Sequence, residues 1–350
     1  MAAYILRRIL LIVPTLLGIM LLNFAIIQFA PGGPVEQIIS ELEAEATESG
    51  QAAGATGTYR GRQGIDPDLI ADLERQFGLD KPVHERFLLM IYNYARFDFG
   101  ESFQRSESVI NIILEKMPVS ISLGLWSLLI SYMVSIPLGI RKAVRDGTPF
   151  DTATSGLIIA AYALPGFLVP VVLLVLFAGG SYFQIFPLRG LTSEGFEDLS
   201  TFAQIKDYLW HITLPVIAMS VSGFATITLL TKNSFLEEIK KQYVLTARAK
   251  GLSERRVLYG HVFRNAMLIV VSSLPAAFVG IFMTGSIFVE SVFSLDGLGL
   301  LGLESVLNRD YPIVLGTLYI FGLIGLFIKL VSDLVYVWID PRIDFEAREG

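Results

Sequence analysis

The chain has 350 residues, of which 53% are hydrophobic and only 17% are charged, and it contains no cysteine. Soluble domains carry about 25% charged residues, so this composition excludes a soluble enzyme, and its high apolar content excludes a disordered protein. The lack of cysteine excludes disulfide bonds, a thiolate nucleophile and a cysteine-ligated zinc site. Because the apolar residues occur in long blocks, the sequence predicts an all-α integral membrane protein.

Six apolar segments are long enough to cross about 30 Å of hydrocarbon at about 1.5 Å per residue. They run over residues 9–30, 119–140, 152–178, 212–231, 266–289 and 311–328. The first follows Arg7 and Arg8, but its apolar run is longer than the core of a signal peptide. We therefore predict six transmembrane helices, with residues 1–30 as an uncleaved N-terminal anchor.

The distribution of Lys and Arg predicts that both termini lie in the cytoplasm. In that orientation the inner segments carry two, three, eight and three Lys and Arg residues in chain order, whereas the two short outer loops carry three together. Short loops rich in Lys and Arg remain on the cytoplasmic side, and long loops escape this rule. The remaining eight basic residues lie in one long outer segment.

That outer segment, residues 31–117, is predicted to be a periplasmic insertion. Its part over 40–64 is rich in Glu, Ala, Gly, Thr and Ser and is predicted to be flexible and acidic. Over 65–117 the pattern predicts helices that begin at Pro67, Pro82 and Ser106.

A second long segment lies inside, between the fourth and fifth spans. A helix is predicted from Phe235 to Lys250, and it ends at Gly251 because glycine accepts the left-handed conformation. Ser253 is predicted to cap a new helix. The pattern indicates a rigid basic elbow, for which the alternative is an ordinary loop whose charges only fix the topology.

The sequence lacks the phosphate-binding pattern GxxxxGK[ST], so we do not expect this chain to bind ATP by that route. The glycine-rich run over 297–302 follows no strand and is not interpreted as a nucleotide site. Ionisable residues within a membrane are functional candidates, and here they are Glu290, Lys329 and Asp333. The alternatives are an interfacial glutamate and a surface pair four residues apart.

Polar residues within the spans are candidates for lining a translocation pathway. They are Ser127, Ser131, Tyr162, Thr226, Thr228, Ser273, Thr284 and Ser286. Hydrogen bonds between helices are an equally good explanation for each of them.

Two stretches of the inner segment carry a family resemblance. Residues 243–253 read YVLTARAKGLS, and residues 261–266 read HVFRNA. They resemble the cytoplasmic coupling (EAA) loop of the permease subunits of ABC importers for dipeptides and oligopeptides. Shorter matches occur over 77–82, 98–102, 297–299, 309–312 and 340–342. The resemblance extends over nearly the whole chain, and within the family it favours the permeases of peptide and microcin C uptake systems.

The resemblance implies a type I ABC importer permease fold in the bacterial inner membrane. Residues 118–338 would form the permease core, with the coupling loop at 233–264, and residues 339–350 would form a cytoplasmic tail. It implies that contact with the ATPase involves Tyr243, Thr246, Ala247, Arg248, Ala249, Lys250, Gly251, Leu252 and Ser253.

The resemblance also implies partners. A second permease subunit would complete a heterodimer, a periplasmic peptide-binding protein would deliver peptides, and one or two ATP-binding subunits would hold ATP and Mg. This chain would bind no cofactor and no nucleic acid, and it would not be an enzyme. An ion-coupled secondary transporter is the alternative, but it predicts inverted repeats and coupling carboxylates that are not evident in the sequence.

Overall fold

The computed structural model describes residues 2–29, 81–105, 107–180, 182–280 and 286–339. The helices in chain order are α1 (Ala2–Phe29), α2 (Val83–Tyr94), α3 (Val109–Val144), α4 (Pro149–Tyr162), α5 (Leu168–Phe177), α6 (Thr201–Ile239), α7 (Gln242–Ala249), α8 (Glu254–Val257), α9 (Phe263–Ser272), α10 (Leu274–Gly280), α11 (Ser286–Val292), α12 (Leu298–Leu307) and α13 (Tyr311–Ile339). A π-helical turn over Leu258–Val262 joins α8 to α9. The predicted flexible stretch 40–64, the helix predicted from Pro67 and the tail from residue 340 lie outside the described residues.

Several of these helices are long and apolar enough to cross a membrane. Within the described part of the chain they are Ile5–Ile26, Val109–Val144, Glu254–Phe278 and Tyr311–Val335. The two halves of α6 make a fifth candidate if they act as one bent span. Together they correspond to five of the six predicted segments, and the one at Glu254–Phe278 begins earlier than predicted.

The third predicted segment, 152–178, is interrupted. It forms α4 and α5 with a break over residues 163–167, so the prediction of one continuous helix is wrong. Pro165 lies in the break, where it removes a backbone donor and disfavours helical geometry at Leu164.

Helix α6 bends by 52° between Thr201–Val221 and Gly223–Ile239. The bend lies at Ser222 and Gly223, the kind of small-residue pair at which helices kink. The predicted fourth span is therefore the middle of a longer, bent helix.

Helix α3 corrects the prediction for the outer segment. A separate third helix was expected from Ser106 there, but the helix begins at Val109 and continues without interruption to Val144. Val109 and Ile113 in its first two turns are buried. The end of the insertion and the second span are thus one helix of 36 residues.

The contacts divide the chain into two units. The first comprises Met1–Arg8, Lys116–Leu301 and Ile324–Gly350, and the second comprises Ile9–Glu115 and Gly302–Leu323. In the second unit Tyr94, Phe99 and Tyr319 form an aromatic cluster with centroid separations of 4.8–5.6 Å. The buried Asp310 accepts hydrogen bonds from the Ser102 hydroxyl and the Phe103 amide.

In the first unit α3 packs closely on α6 along a row of small residues four apart on α3. The row consists of Ser127, Ser131, Ser135 and Gly139. The closest approach is at Gly139, where an added Cβ would lie 2.6 Å from Thr231 Cβ and 2.8 Å from the Thr228 carbonyl oxygen. Small side chains permit this packing, as they do between membrane helices generally.

Candidate functional site

The predicted elbow consists of α7, a turn at Gly251 and α8. The prediction of one helix from Phe235 to Lys250 is wrong, because α6 ends at Ile239 and α7 begins at Gln242. Lys241 is extended between them, with φ −74° and ψ 151°. This break redirects the chain so that one face of α7 contacts the protein interior.

The turn after α7 has the predicted geometry. Gly251 has φ +79°, and the left-handed conformation predicted for it is confirmed. Its N–H donates to the Arg248 carbonyl at 2.9 Å, and the Leu252 N–H donates to the Ala247 carbonyl at 3.4 Å. These two bonds form a Schellman motif, which satisfies carbonyls at the end of the helix. Ser253 occupies the N-cap position of α8, but its side chain makes no capping hydrogen bond to the described residues.

Helix α7 is anchored by a small apolar cluster, which we call the elbow cluster. Its buried members are Ile140, Ala143, Phe235, Val244, Ala247, Val257, Val262 and Ala266. Val244 and Ala247 contribute from α7, while Tyr243 and Leu252 pack at the edge. Burial of these side chains fixes the position of α7 on α3, α6 and α9.

The opposite face of α7 and the following turn are exposed. The exposed residues among the predicted coupling positions are Thr246, Arg248, Ala249, Lys250, Gly251 and Ser253. The neighbouring Leu245 exposes 52% of its surface and Tyr259 exposes 56%. The elbow therefore presents a surface that is both basic and apolar. A loop whose charges only fix the topology would expose mainly polar residues.

Polar contacts hold the elbow rigid. The Tyr243 hydroxyl donates to Glu238 at 3.0 Å and accepts from the Asn265 side chain at 3.2 Å. Burial raises the pKa of Tyr243 above its ordinary value, which keeps the hydroxyl protonated as a donor. Arg248 contacts both carboxylate oxygens of Glu254, at 2.9 and 3.0 Å. This two-point contact ties α7 directly to α8 across the glycine turn.

A pocket of about 370 Å³ lies beside the elbow, between the end of α3, α7 and α8. The residues that line it include Val144, Val244, Arg248, Val257 and Tyr259.

The predicted pathway residues lie in different environments. Ser127, Ser131 and Thr228 are buried, on the facing helices α3 and α6. The hydroxyls of Ser127 and Thr228 have no hydrogen-bond partner among the described residues. By contrast, Tyr162 at the end of α4 exposes 63% of its surface, and Thr226 on α6 is also exposed.

The remaining three pathway candidates give no evidence for a pathway lining. Ser273 lies 3.0 Å from the Tyr132 hydroxyl, which is the helix-to-helix hydrogen bond considered as the alternative role. Thr284 lies outside the described residues, and for Ser286 only the backbone is described. The six pathway candidates whose side chains are described therefore do not share one environment.

Glu290 is not an interfacial residue, and that interpretation is wrong. Its side chain is fully buried and accepts hydrogen bonds from the Ser120 hydroxyl and the Leu300 amide, both at 2.8 Å. The Leu300 amide lies in the first turn of α12, so Glu290 caps that helix from a distance. Gly297 makes room for the carboxylate, since an added Cβ there would lie 2.5–2.7 Å from it.

Lys329 and Asp333 on α13 were considered as a surface pair four residues apart, and the structure gives Asp333 a different contact. Asp333 forms an ion pair with Arg8 at 3.2 Å, so its contact is with α1 and not only within its own helix.

Sequence reasoning also missed a buried charge network around Lys142, which it had counted only as a topology charge. No local pattern marks such a residue, because its partners come from other helices.

The region 135–345 matches the family described as "Binding-protein-dependent transport system inner membrane component". This match includes α4 to α13 and the whole elbow. The chain belongs to that family. It is a multi-pass membrane component of a transport system, which confirms the predicted family, the helical permease fold and the inner-membrane location.

Named relatives extend over the full length of this permease. It is 61% identical over 363 residues to the "Peptidoglycan transport system permease protein YejB" of Agrobacterium fabrum, with 100% of both chains covered. It is 54% identical to the "Inner membrane ABC transporter permease protein YejB" of Escherichia coli O157:H7, covering 99% of this chain and 100% of that one. It is 31% identical to the "Dipeptide transport system permease protein DppB" of Escherichia coli K12, covering 98% and 99%. These relatives are permeases, so the prediction of a transport subunit rather than an enzyme is confirmed.

A solved structure supports the fold. The MetNI methionine ABC transporter in an inward-facing conformation superimposes with a TM-score of 0.51 and 14% sequence identity. The match covers 66% of this permease and 97% of the other chain. It supports the type I importer permease fold and carries no information about substrate.

Proposed function

We propose that this permease forms half of the translocation pathway of an ATP-driven ABC importer that carries peptides from the periplasm to the cytoplasm. The names of the relatives, which include a dipeptide transport permease, support a peptide substrate. The observation that carries the coupling role is the elbow itself. Helix α7 is anchored through Val244 and Ala247 while its outer face is exposed, which suits a docking element more than a loop that only fixes topology.

The proposed complex has four kinds of component. A second permease subunit completes the heterodimer, and one or two ATP-binding subunits receive the elbow and hold ATP and Mg. A periplasmic binding protein delivers the peptide. In this arrangement the present chain binds no cofactor, and ATP drives transport by favouring one conformation through its differential affinity.

Oligopeptides are the proposed substrate class, including peptide conjugates similar to microcin C. Peptides released from peptidoglycan are a second candidate, which the name of the Agrobacterium relative favours. Both candidates present a peptide backbone to the pathway, so one assay with labelled peptides can compare them.

The domain organisation is proposed accordingly. Residues 118–338 form the permease core with the coupling loop at 233–264, residues 31–117 form the periplasmic insertion, and residues 339–350 form a cytoplasmic tail. Tyr162 and Thr226 are the strongest candidates for the pathway lining, because their side chains are exposed in this chain and remain free to face a second subunit.

Reconstituted uptake tests this function. The liposomes contain both permeases and the ATPase, with the ATPase domains facing the lumen. We expect them to accumulate labelled peptide only when ATP is in the lumen and the binding protein is outside. An uncoupler that collapses ion gradients should leave the uptake unchanged. Uptake that continues without ATP and stops with the uncoupler would instead establish an ion-coupled secondary transporter.

A reporter fusion tests the orientation. An enzyme that is active only in the periplasm, fused after Gly350, is expected to be inactive, since the excess of Lys and Arg in the inner segments places the C-terminus in the cytoplasm. The same enzyme inserted within residues 40–64 should be active and serves as the matched control. Activity of the fusion at Gly350 would contradict the proposed orientation.

A further inference from the structure

A buried lysine connects α3 to α4 in the first unit. The Lys142 side chain is completely buried. Its Nζ donates to the Asp151 carbonyl at 2.9 Å and to the hydroxyls of Thr154 and Ser155 at 2.8 Å each. It also lies 3.0 Å from Asp151 Oδ1. The three protons of the ammonium group are therefore satisfied by the first turns of α4.

A second lysine extends this contact to α6. Lys232 Nζ lies 2.7 Å from Asp151 Oδ2 and 2.9 Å from Asp146 Oδ1. Asp151 is itself buried and contacts both lysines, one through each carboxylate oxygen. Two ammonium groups and two carboxylates make the set neutral. Lys142 and Asp151 are buried, Lys232 is partly buried, and Asp146 lies at the exposed end of the set. We call these four residues the buried charge network.

Stability alone is a weak explanation for the buried charge network. Apolar side chains of similar volume often serve a buried position as well as an ion pair does, whereas removal of one partner from a pair is strongly destabilising. Buried charges instead restrict neighbouring helices to the few arrangements in which every charge keeps its partners. The network is thus suited to fixing the position of α4 relative to α3 and α6.

The same turns of α3 and α6 also hold the elbow. Ile140 and Ala143, which flank Lys142 on α3, belong to the elbow cluster that anchors α7. On α6, Phe235 of the cluster follows Lys232 by three residues, which is one helical turn. Each helix therefore contacts α7 through one side chain and α4 through another. The charge contacts therefore lie on a continuous path that leads from α7 through α3 and α6 to α4.

We propose that the buried charge network of Lys142, Asp146, Asp151 and Lys232 is a positioning device that makes α4 move together with the coupling helix α7. Asp151 and the two lysines are positioning residues, because their charged groups contact one another and act through α4. The proposal rests on the proposed function, in which α7 receives the conformational change of the ATPase. Its consequence is that α4, with Tyr162 at its exposed end, responds to ATP.

Matched variants test the device in the reconstituted complex. Lys142→Met combined with Asp151→Asn removes the α3–α4 pair but keeps the site neutral and leaves Lys232 with Asp146. We expect this double variant to assemble and hydrolyse ATP, while peptide transported per ATP falls at least about fivefold, the lower range of typical coupling effects. Lys232→Arg alone, in the otherwise unmodified chain, preserves the ion pairs with Asp146 and Asp151 and should retain normal coupling. Ala153→Ser, an exposed change near the start of α4, should behave as the unmodified complex.

A distance measurement covers the case in which the double variant does not assemble. The chain has no cysteine, so spin labels can be placed at the exposed positions Ala153 on α4 and Gln242 on α7. We expect one narrow distance distribution that is the same with and without ATP. With Lys232→Gln, which leaves the Lys142–Asp151 pair intact, the distribution should broaden on ATP binding.

Two results would overturn the proposal: normal transport per ATP in the assembled double variant, or an unchanged distance distribution in Lys232→Gln. Failure of the proposed function gives a different result, since the unmodified complex would then show no ATP-dependent uptake.

Discussion

Replacement of Gly251 by valine is expected to abolish most ATP-driven uptake while membrane insertion remains normal. Gly251 has φ +79°, and a β-branched residue in that conformation costs on the order of 1–3 kcal/mol. A Cβ at this position would meet no described atom within 4 Å, so the cost arises from the backbone and not from a clash. The Schellman motif should open, and α8 should lose its fixed direction relative to α7. Uptake and ATPase activity of the purified complex measure the effect.

Gly251→Asn is the matched control, because asparagine tolerates the left-handed conformation far better than valine. It should retain most of the uptake although it adds a larger polar side chain at the same exposed position. If both variants lose uptake equally, the added side chain and not the turn is responsible, and the left-handed conformation of Gly251 is not what coupling requires. Normal uptake with Gly251→Val in an intact complex would contradict the coupling role itself.

Replacement of Gly139 by alanine should destabilise the permease by about 1–3 kcal/mol, as overpacking of a close contact does. The new Cβ would lie 2.6 Å from Thr231 Cβ and 2.8 Å from a backbone oxygen of α6, so the two helices must separate. The loss exceeds the small gain in helix propensity from alanine. The melting temperature of the purified complex and the amount of complex recovered measure it.

Gly156→Ala on α4 provides the control for this second change. It is the same substitution within a helix, but an added Cβ at Gly156 meets no described atom within 4 Å. It should leave the melting temperature unchanged or raise it slightly. Equal melting temperatures for the two variants would show that α3 and α6 do not pack as closely as the structure indicates.

The elbow shows which parts of the site were predictable. The Gly251 turn and the helix after Ser253 follow from the conformational preferences of single residues, so the sequence predicts them correctly. The break at Lys240 and Lys241 was missed, since neither residue is a helix breaker. The break exists because Val244 and Ala247 reach buried positions on α3, α6 and α9, and that gain requires the folded chain.

The buried acids and bases are the residues whose contacts could not be predicted from the sequence. From the sequence, Lys142 counts only as a topology charge, and Glu290 is a functional candidate for which an interfacial glutamate is the alternative. Their partners lie on other helices: Ser120 of α3 is 170 positions from Glu290, and Asp151, although only nine positions from Lys142, belongs to α4. The residue pattern around Lys142 and Glu290 does not indicate that these helices pack together.

The sequence by itself determined the class of protein, most of the long apolar helices and the glycine turn, because hydrophobicity and backbone preference are properties of short segments. Its coupling-loop pattern also determined the family. Only the tertiary structure decided how closely α3 packs on α6 and which charges are buried together. Those features depend on the free energy of contacts between distant segments, in which a charge is stable inside the protein only if another helix supplies its partner.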